Sequence, residues 1–358
     1  MQSRLVRTTG LLASMVAAQE SPAPEQPLAD CAAIDDDAAR LACYDRLAGR
    51  PAAAGTAPIV APYSPGGRTP NVIAPAPGQE RAPTPSFLSR FWELEPADKR
   101  GVFNFNGYRP NYFLPVHVTS DINTDPSSPT QARDLAPEPF QRVEAKFQIS
   151  LRSKLFENLL LPGADLWGAY TQQSVWQLYN TENSAPFRNT DYQPELIYMM
   201  PVPQRLGALP LGWHWRFGQL GLAHQSNGQQ DPLSRSWNRA YVGFGLENEH
   251  VSIVARFNHR FSESPETDDN PDLTDYIGRN ELQVGWAPGR ATALATYKYS
   301  FGLPRRGSLT LDWSYPIKTD SMRALRWYAQ FFTGYGENLL DYNFRQTSLG
   351  VGVALIEF

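Results

Sequence analysis

Apolar and polar residues alternate with a period of two along much of the chain from about residue 100 to its end. Leu309, Leu311, Trp313 and Tyr315, for example, alternate with Ser, Thr and Asp. Successive side chains of a β-strand point to opposite faces, so each such segment has one apolar face. No apolar run approaches the roughly 18 residues that a transmembrane helix needs. The pattern therefore predicts an all-β fold for this part of the chain.

The alternating segments are separated by turn-rich pieces at 121–137, 181–192, 225–236, 262–274, 302–306 and 337–343. This division gives about twelve strands, whose predicted first residues are 109, 140, 164, 192, 213, 237, 250, 275, 291, 307, 325 and 345. An even number of strands, with long and short connections in alternation, is typical of single-chain bacterial outer-membrane barrels.

Composition alone favours a soluble protein, because the mean hydropathy is −0.42. A membrane β-barrel gives the same impression, however, since its lipid-facing and lumen-facing residues alternate. Aromatic residues make up 12% of the chain, and many lie at strand ends, as in the aromatic girdles of such barrels. The chain also ends on a strand-like segment with Phe358 last. We therefore predict an antiparallel transmembrane β-barrel, with a soluble β-sandwich or lectin-like protein as the alternative.

The N-terminal part has a different composition and is predicted to be an extension of the barrel. Residues 1–19 carry Arg4 and Arg7 before a short apolar stretch, and small residues follow near Ala18. This order is typical of a signal peptide, the alternative being an unstructured terminus.

Residues 20–50 are predicted to form a small helical module that contains both cysteines, Cys31 and Cys43. Twelve residues of one helix span about 18 Å, so a disulfide between them requires a helical hairpin. Residues 51–90 hold nine prolines and almost no large apolar side chains, which indicates a linker. We assign residues 91–358 to the barrel, with the folded part beginning near Phe87 to Trp92. The net charge of −4 argues against a nucleic-acid partner.

Three polar residues around one turn have the chemistry of a serine hydrolase. His224 and Ser226 are two apart in the sequence, so in a strand they share a face and the imidazole can reach the hydroxyl. Asn238 opens the next strand and could accept a hydrogen bond from the far ring N–H of the histidine. On their own, a His and a Ser two apart more often are ordinary loop residues.

The parity of the strands predicts where this group lies. His224 continues the even-numbered series Leu220 and Leu222, and Asn238 continues the even-numbered series that begins with Ala240. If those apolar residues face lipid, the three polar residues lie on the outer surface of the barrel and not in its lumen. Trp213, Trp215 and Phe217 have the opposite parity, which leaves the face of this strand less certain.

Ordered segments across most of residues 90–358 resemble the outer-membrane phospholipase A family. These segments are His224–Gly228 with Asp231–Arg239, Ala169–Leu178, Ser184–Tyr192, Thr267–Asp272 and Gly334–Asn343. Residues 1–90 lie outside the resemblance.

The resemblance implies a twelve-stranded barrel with a Ser-His-Asn site on its outer wall. Ser226 would be the nucleophile, His224 the general base and Asn238 the residue that orients the histidine. The backbone amide of Gly228, with water polarised by a bound calcium ion, would stabilise the oxyanion.

The resemblance also implies two positions for Ca²⁺. The first would use the carbonyl of Gln229, the side chain of Ser234 and Ser184 of a second subunit. The second, within the monomer, would use Asp231 and Asp269. Gln229 stands where the family often has a basic residue, but a carbonyl ligand should be insensitive to that change.

The function implied is a calcium-dependent esterase of the bacterial outer membrane, which hydrolyses acyl esters of phospholipids and lysophospholipids at the A1 or A2 position. Activity would depend on a calcium-dependent homodimer. Gln172 matches a polar residue of the family's dimer interface, the alternative being an ordinary lumen-facing glutamine. The alternative function is a non-enzymatic outer-membrane porin or structural barrel.

Overall fold

The computed structural model describes residues 27–48, 86–131, 139–302, 306–317 and 325–355. They fall into two units, one within residues 1–79 and one within residues 80–358. The predicted signal peptide, residues 51–85 of the predicted linker and the terminal Phe358 lie outside the described residues. No helix in the described ranges is long and apolar enough to cross a membrane.

The N-terminal unit is a helical hairpin closed by one disulfide. Helix α1 spans Pro27–Ala32 and α2 spans Asp37–Leu47. The turn between them brings Cys31 and Cys43 to a Cα–Cα distance of 5.5 Å, and the two sulfurs are bonded. The hairpin thus brings together two cysteines that a single continuous helix would hold about 18 Å apart.

The second unit begins with a short helix and continues as thirteen strands. Helix α3 (Phe87–Trp92) begins within the segment predicted as linker, and two further short helices are α4 (Gln204–Gly207) and α5 (Leu273–Ile277). The strands are β1 (Phe105–Gly107), β2 (Asn111–Thr119), β3 (Val143–Phe156), β4 (Asp165–Trp176), β5 (Phe187–Pro201), β6 (His214–Ser226), β7 (Ser236–Glu247), β8 (Val251–Arg260), β9 (Asn280–Trp286), β10 (Thr292–Tyr299), β11 (Ser308–Pro316), β12 (Leu325–Tyr335) and β13 (Arg345–Leu355).

Strands β2 to β13 form a closed antiparallel barrel. Each strand pairs with its neighbour in sequence, and β13 pairs with β2 to close the ring. The predicted twelve-stranded all-β fold is therefore confirmed. The three-residue strand β1 is additional. It pairs with residues 151–153 of β3 and is not part of the ring.

The two ends of the barrel differ in their connections. At one end, which we call the long-loop end, lie the described residues 120–131, 139–142, 177–186, 227–235, 261–279, 300–302, 306–307 and 336–344. The other end receives α3, and we call it the α3 end. Each of the six turn-rich segments identified in the sequence overlaps one of these connections, but the predicted segment 181–192 is too long, since residues 187–192 belong to β5.

The outward face of the wall is apolar, with aromatic residues at both rims. Leu220, Leu222 and Val242 are each about half exposed in the middle of β6 and β7. Trp215, Trp286, Trp313 and Trp327 form an exposed ring near the α3 end, and Phe187, Phe261 and Tyr297 are exposed toward the long-loop end. This arrangement is typical of a barrel embedded in a membrane.

The interior at the α3 end is packed on one side by α3. Trp92 makes edge-to-face contacts with Trp167 of β4 and Phe217 of β6, at ring-centroid distances of 5.7 and 6.3 Å. The guanidinium of Arg152 lies 3.6 Å from the centre of the Phe91 ring. Helix α3 is therefore part of the barrel core, held by aromatic and cation–π contacts.

The interior at the long-loop end is filled by the segment 336–344, which folds inward. The Glu337 carboxylate contacts His117 and Lys146, each at 2.8 Å, and Asp341 pairs with Arg188 at 2.5 Å. All of these side chains are at least nine-tenths buried. Burial alone would raise the pKa of Glu337, but Lys146 and His117 outweigh it and hold that pKa well below its usual range.

Candidate active site

Strands β6 and β7 bring His224, Ser226 and Asn238 together at the long-loop end. His224 lies opposite Asn238 in the strand register, and Ser226 lies opposite Ser236. In β6 the odd residues from Phe217 to Ala223 are buried, whereas Leu220, Leu222 and His224 are exposed. The three polar residues therefore lie on the outward face, as the parity of the sequence predicts.

The opposite parity of Trp215 has a simple structural cause. The register between β6 and β7 shifts between Trp215 and Phe217, which is a β-bulge. Trp215 is consequently 41% exposed on the outer wall, while Phe217 is fully buried in the lumen. The part of β6 that carries His224 and Ser226 lies beyond the bulge and keeps a regular alternation.

The His224 ring is held by Asn238. Its Nδ1 atom lies 2.9 Å from Oδ1 of Asn238. The Asn238 amide nitrogen lies 3.5 Å from Oε1 of Glu263, a carboxylate that can only accept, so its amide oxygen faces the histidine. In this arrangement Nδ1 carries the proton, and Nε2 keeps a lone pair for a neighbouring hydroxyl.

The inward face of the same strand pair is anchored to the barrel core. Trp237, next to Asn238, donates its indole N–H to Gln225 at 3.1 Å. It also packs in a buried cluster with Leu273, Leu339 and Tyr342 from two other long-loop segments. The outward residues of the site therefore lie next to two inward residues that hold each other, Gln225 and Trp237, and this keeps the two strands in register.

Gly228 occupies a backbone conformation that suits glycine. Its φ is +64°, in the left-handed region, and a Cβ at this position would lie 3.0 Å from Cε2 of Tyr192. Tyr192 faces outward on β5 opposite Ser226, so its ring lies beside the predicted nucleophile and the predicted oxyanion donor.

The structure brings three of the five predicted metal ligands together. The Ser234 hydroxyl contacts Oδ2 of Asp269 at 2.5 Å. One amide nitrogen of Gln131 lies 3.1 Å from a carboxylate oxygen of Asp231 and 3.1 Å from one of Asp269. The two carboxylates thus approach a common point from different loops.

These donors are all oxygen atoms, which fit a hard cation such as Ca²⁺ and not a thiolate-seeking metal. Within the described ranges no group of three or more His, Cys, Asp or Glu side chains has metal-binding geometry. A cation here would therefore depend on hydroxyl and carbonyl oxygens as well as on carboxylates. Burial lowers the pKa of the adjacent Arg235, and Asp269 and Asp231 offset part of that effect.

The side chains of Gln229 and Ser184 make no hydrogen bond to this cluster among the described residues. The Gln229 amide points to the carbonyl of Arg188 and the side chain of Asn189, at 3.4 and 3.5 Å. Ser184 is exposed and left-handed, with φ +61°, at the end of the turn after Asn180.

Gln172 faces outward, so the alternative interpretation of it as an ordinary lumen-facing glutamine is wrong. Its side chain contacts the Tyr170 hydroxyl at 3.4 Å and Ser174 Oγ at 3.5 Å, whereas its neighbour Gln173 points inward to the carbonyl of Glu337.

Sequence reasoning missed three residues that contact the site, namely Asn227, Gln131 and Glu263. Gln131 and Glu263 lie in other loops, and no spacing in the sequence shows that they would meet the site. Asn227 follows Ser226 directly, but an asparagine in a loop gives no signal beyond that of a turn.

Comparisons with known proteins identify relatives of this chain. A family model described as phospholipase A1 matches residues 88–355. The phospholipase A1 of Escherichia coli K12 is 39% identical over 253 residues, which cover 71% of this chain and 82% of that protein. A protein of Neisseria meningitidis serogroup B, provisionally named phospholipase A1, is 34% identical over 381 residues, which cover 98% of this chain and 94% of that one.

Solved structures give the same result. Outer membrane phospholipase A from Escherichia coli matches with a TM-score of 0.63 and 37% identity, over 72% of this chain and all of that one. An active-site mutant of that enzyme, with alanine in place of an asparagine, matches with a TM-score of 0.62 and 36% identity, over 72% of this chain and 94% of that one. The calcium-bound dimer of the Salmonella typhi outer membrane phospholipase has a TM-score of 0.62 and 35% identity, over 71% and 93% of the two chains.

Proposed function

The chain belongs to the phospholipase A1 family, and we propose that it is a calcium-dependent serine esterase of the bacterial outer membrane. Its substrates would be the acyl esters of phospholipids and lysophospholipids, at the A1 or A2 position. The observation that carries this proposal is the 2.9 Å contact between His224 Nδ1 and Asn238 Oδ1, on the outward face of the barrel beside Ser226.

Each side chain has one role in the reaction. Asn238 holds the Nδ1–H of His224, so Nε2 accepts the proton from the Ser226 hydroxyl as its oxygen attacks the ester carbonyl carbon. His224 then returns the proton to the leaving alcohol, which departs as the lysophospholipid. The acyl group stays on Ser226 Oγ until water, deprotonated by the same histidine, releases it as a fatty acid.

The negative charge on the carbonyl oxygen develops beside the loop 227–235. The backbone N–H of Gly228 is the donor that we assign to it. The residues that would hold Ca²⁺ are the Gln229 carbonyl, Ser234 and Ser184 of the partner subunit, with Asp231 and Asp269 at a second position in the monomer. A bound calcium ion would supply positive charge and a polarised water close to the oxyanion.

The position of the proposed site on the outer wall supports this substrate class. The ester of a membrane lipid lies near the rim of the apolar wall. There Leu222, two residues before His224 on the same face of β6, is 52% exposed. A lipid therefore reaches Ser226 without leaving the bilayer. A porin is a poorer interpretation, because the segment 336–344 fills the lumen at the long-loop end with buried side chains.

We further propose a homodimer that forms through the outward face near Gln172. Asparagine in the active site of the Escherichia coli enzyme and calcium in the dimer of the Salmonella enzyme support these assignments by similarity.

The test is release of fatty acid from mixed micelles of phospholipid and detergent, with calcium or with EDTA. We expect release by the wild-type chain in calcium, little release in EDTA, and none by Ser226→Ala. Separate assays with substrates labelled at the first or second acyl chain, and with lysophospholipid, define the positional preference.

No release by wild type would refute the enzyme, and full release by Ser226→Ala would refute the nucleophile. Cross-linking in detergent with and without calcium tests the dimer; an active monomer would contradict it.

A further inference from the structure

Asn227, the residue directly after Ser226, is a buried side chain that closes the loop 227–235. It is only 3% exposed although it lies in a surface loop. Its side-chain oxygen accepts from the backbone N–H groups of Arg235 at 2.9 Å and Gln229 at 3.4 Å. Its side-chain nitrogen donates to the carbonyl of Leu233 at 2.8 Å. One amide thus ties the start of the loop to its end.

These bonds surround the functional positions of the loop. Ser234 lies between Leu233 and Arg235, and both of those backbones are held by Asn227. On the other side of the loop, the bond to the Gln229 N–H holds the residue whose carbonyl is proposed as a calcium ligand. The two proposed ligand segments are therefore joined to each other through Asn227, which itself ligates nothing.

The same bonds decide which backbone donor next to Ser226 is available. The N–H of Asn227 donates to the carbonyl of Arg235 at 3.0 Å, and the N–H of Gln229 donates to the Asn227 side chain. Between them, the Gly228 N–H has no partner among the described residues. Fixing both neighbours also fixes the orientation of the peptide that carries this N–H.

We propose that Asn227 is a positioning residue for the ester hydrolysis. Its amide locks the loop 227–235 so that the Gly228 N–H stays directed at the oxyanion and the Gln229 and Ser234 segments keep their separation. This inference rests on the proposed function, and it concerns a residue that acts through Gly228 and not on the substrate. Because the side chain both accepts and donates, neither alanine nor aspartate can replace it fully.

The test compares Asn227→Ala and Asn227→Asp with a control, Asn158→Ala. Asn158 also closes a loop, since its side-chain oxygen accepts from the Gly163 N–H at 2.9 Å, but it lies at the α3 end. The three variants and wild type are assayed for kcat and KM on a phospholipid in mixed micelles, for the rate of Ser226 modification by an organophosphonate, and for thermal unfolding in detergent. The organophosphonate forms a tetrahedral adduct whose oxygen requires the same donor as the oxyanion.

We expect Asn227→Ala to lower kcat and the modification rate by on the order of 100-fold, as loss of one oxyanion donor does, with KM changed by less than about threefold. Asn227→Asp keeps both acceptor bonds but turns an acceptor oxygen toward the Leu233 carbonyl, so it should also lower kcat, although by less than Asn227→Ala. Asn158→Ala should lower thermal stability while kcat stays within about twofold of wild type.

Two outcomes would overturn the inference while leaving the enzyme intact. One is a kcat for Asn227→Ala within about twofold of wild type. The other is a loss of kcat that follows thermal stability in the same proportion for Asn227→Ala and Asn158→Ala. An inactive wild-type chain would instead refute the proposed function, and this inference with it.

Discussion

The two ends of the barrel differ in where they are open and in where the proposed catalytic residues lie. The α3 end opens into a cavity of about 1730 Å³, lined by charged and aromatic residues that include Arg216, Arg290, His250 and Trp286. The long-loop end is filled by the buried segment 336–344, and the proposed catalytic residues lie outside, on the wall. The cavity and the proposed chemistry therefore lie at opposite ends of the barrel.

The difference follows from where each kind of substrate is dissolved. A water-soluble substrate reaches an enzyme through the aqueous phase and is recognised in a cavity that removes it from water. A membrane lipid already lies against the apolar wall, so a site needs only a catalytic group and an oxyanion donor at the height of the ester. We infer that the cavity at the α3 end has no part in the hydrolysis, and the predictions below test this.

Replacing one histidine at each end of the barrel should show the difference between the two ends most strongly. His224→Ala removes the proposed general base and should lower kcat/KM by on the order of 10⁴-fold. His250→Ala changes the lining of the cavity and should leave kcat/KM within about twofold of wild type. Both variants are measured by fatty acid release in calcium. Comparable losses in the two variants would mean that the cavity takes part in catalysis.

The buried charges of the long-loop end should make it the more acid-sensitive part of the core. Glu337→Gln leaves Lys146 without its carboxylate partner and should cost about 3–5 kcal/mol of unfolding free energy at neutral pH. Because the pKa of Glu337 is depressed, its stabilisation is complete above the ordinary glutamate pKa and is lost only as the pH falls through the lower, folded-state value.

The measurement is unfolding by denaturant in detergent between neutral and strongly acid pH. The exposed Glu249, at the rim of the cavity, is the control, and Glu249→Gln should change stability by less than about 0.5 kcal/mol. A difference between wild type and Glu337→Gln that disappears already near pH 5 would contradict the depressed pKa.

Local alternation is sufficient to predict the strands and their two faces, whereas the choice of a barrel over a β-sandwich also needs the aromatic rims and the family resemblance. Each strand shows its two faces within about ten residues, so the order of residues alone assigns Leu220, Leu222 and His224 to one face. The same reasoning places Asn238 on that face through the next strand. The bulge at Trp215 shows in the sequence only as a change of parity, which does not by itself tell a bulge from a different face of the strand.

Contacts between distant loops could not be predicted from periodicity. Gln131 lies 100 residues from Asp231 and 138 residues from Asp269 in the sequence, and it meets both only because the barrel gathers six long connections at one rim. For the same reason, the role of α3 in the core could not be predicted. Its six residues follow a proline-rich segment, and only the inward aromatics of β4 and β6 give it a place to pack.

Asn238 tests whether the proposed site depends on orientation of the histidine or only on its presence. Asn238→Ala removes the 2.9 Å contact with Nδ1 and should lower kcat about 100-fold, less than the loss of an Asp from an Asp-containing triad. Asn238→Asp keeps an acceptor at the same position and should retain most of the activity. Equal activity of Asn238→Ala and wild type, measured by fatty acid release, would remove this residue from the mechanism.

The smallest expected effect concerns calcium at the long-loop end, where Gln131 donates to both Asp231 and Asp269. A carboxylate only accepts, so the Gln131 NH₂ group faces both and competes with any cation for the same oxygens. Gln131→Ala should therefore raise the calcium affinity of the monomer by about threefold to tenfold, a fraction of the free energy of two charge-assisted bonds.

The measurement is calorimetric titration of the Ser226→Ala chain with Ca²⁺, so that hydrolysis does not intervene. Thr130→Ala is the control, because the Thr130 hydroxyl anchors the same loop to the carbonyl of Asp268 and touches neither carboxylate. A lower affinity in Gln131→Ala, with Thr130→Ala unchanged, would show that the amide assists the cation and does not compete with it.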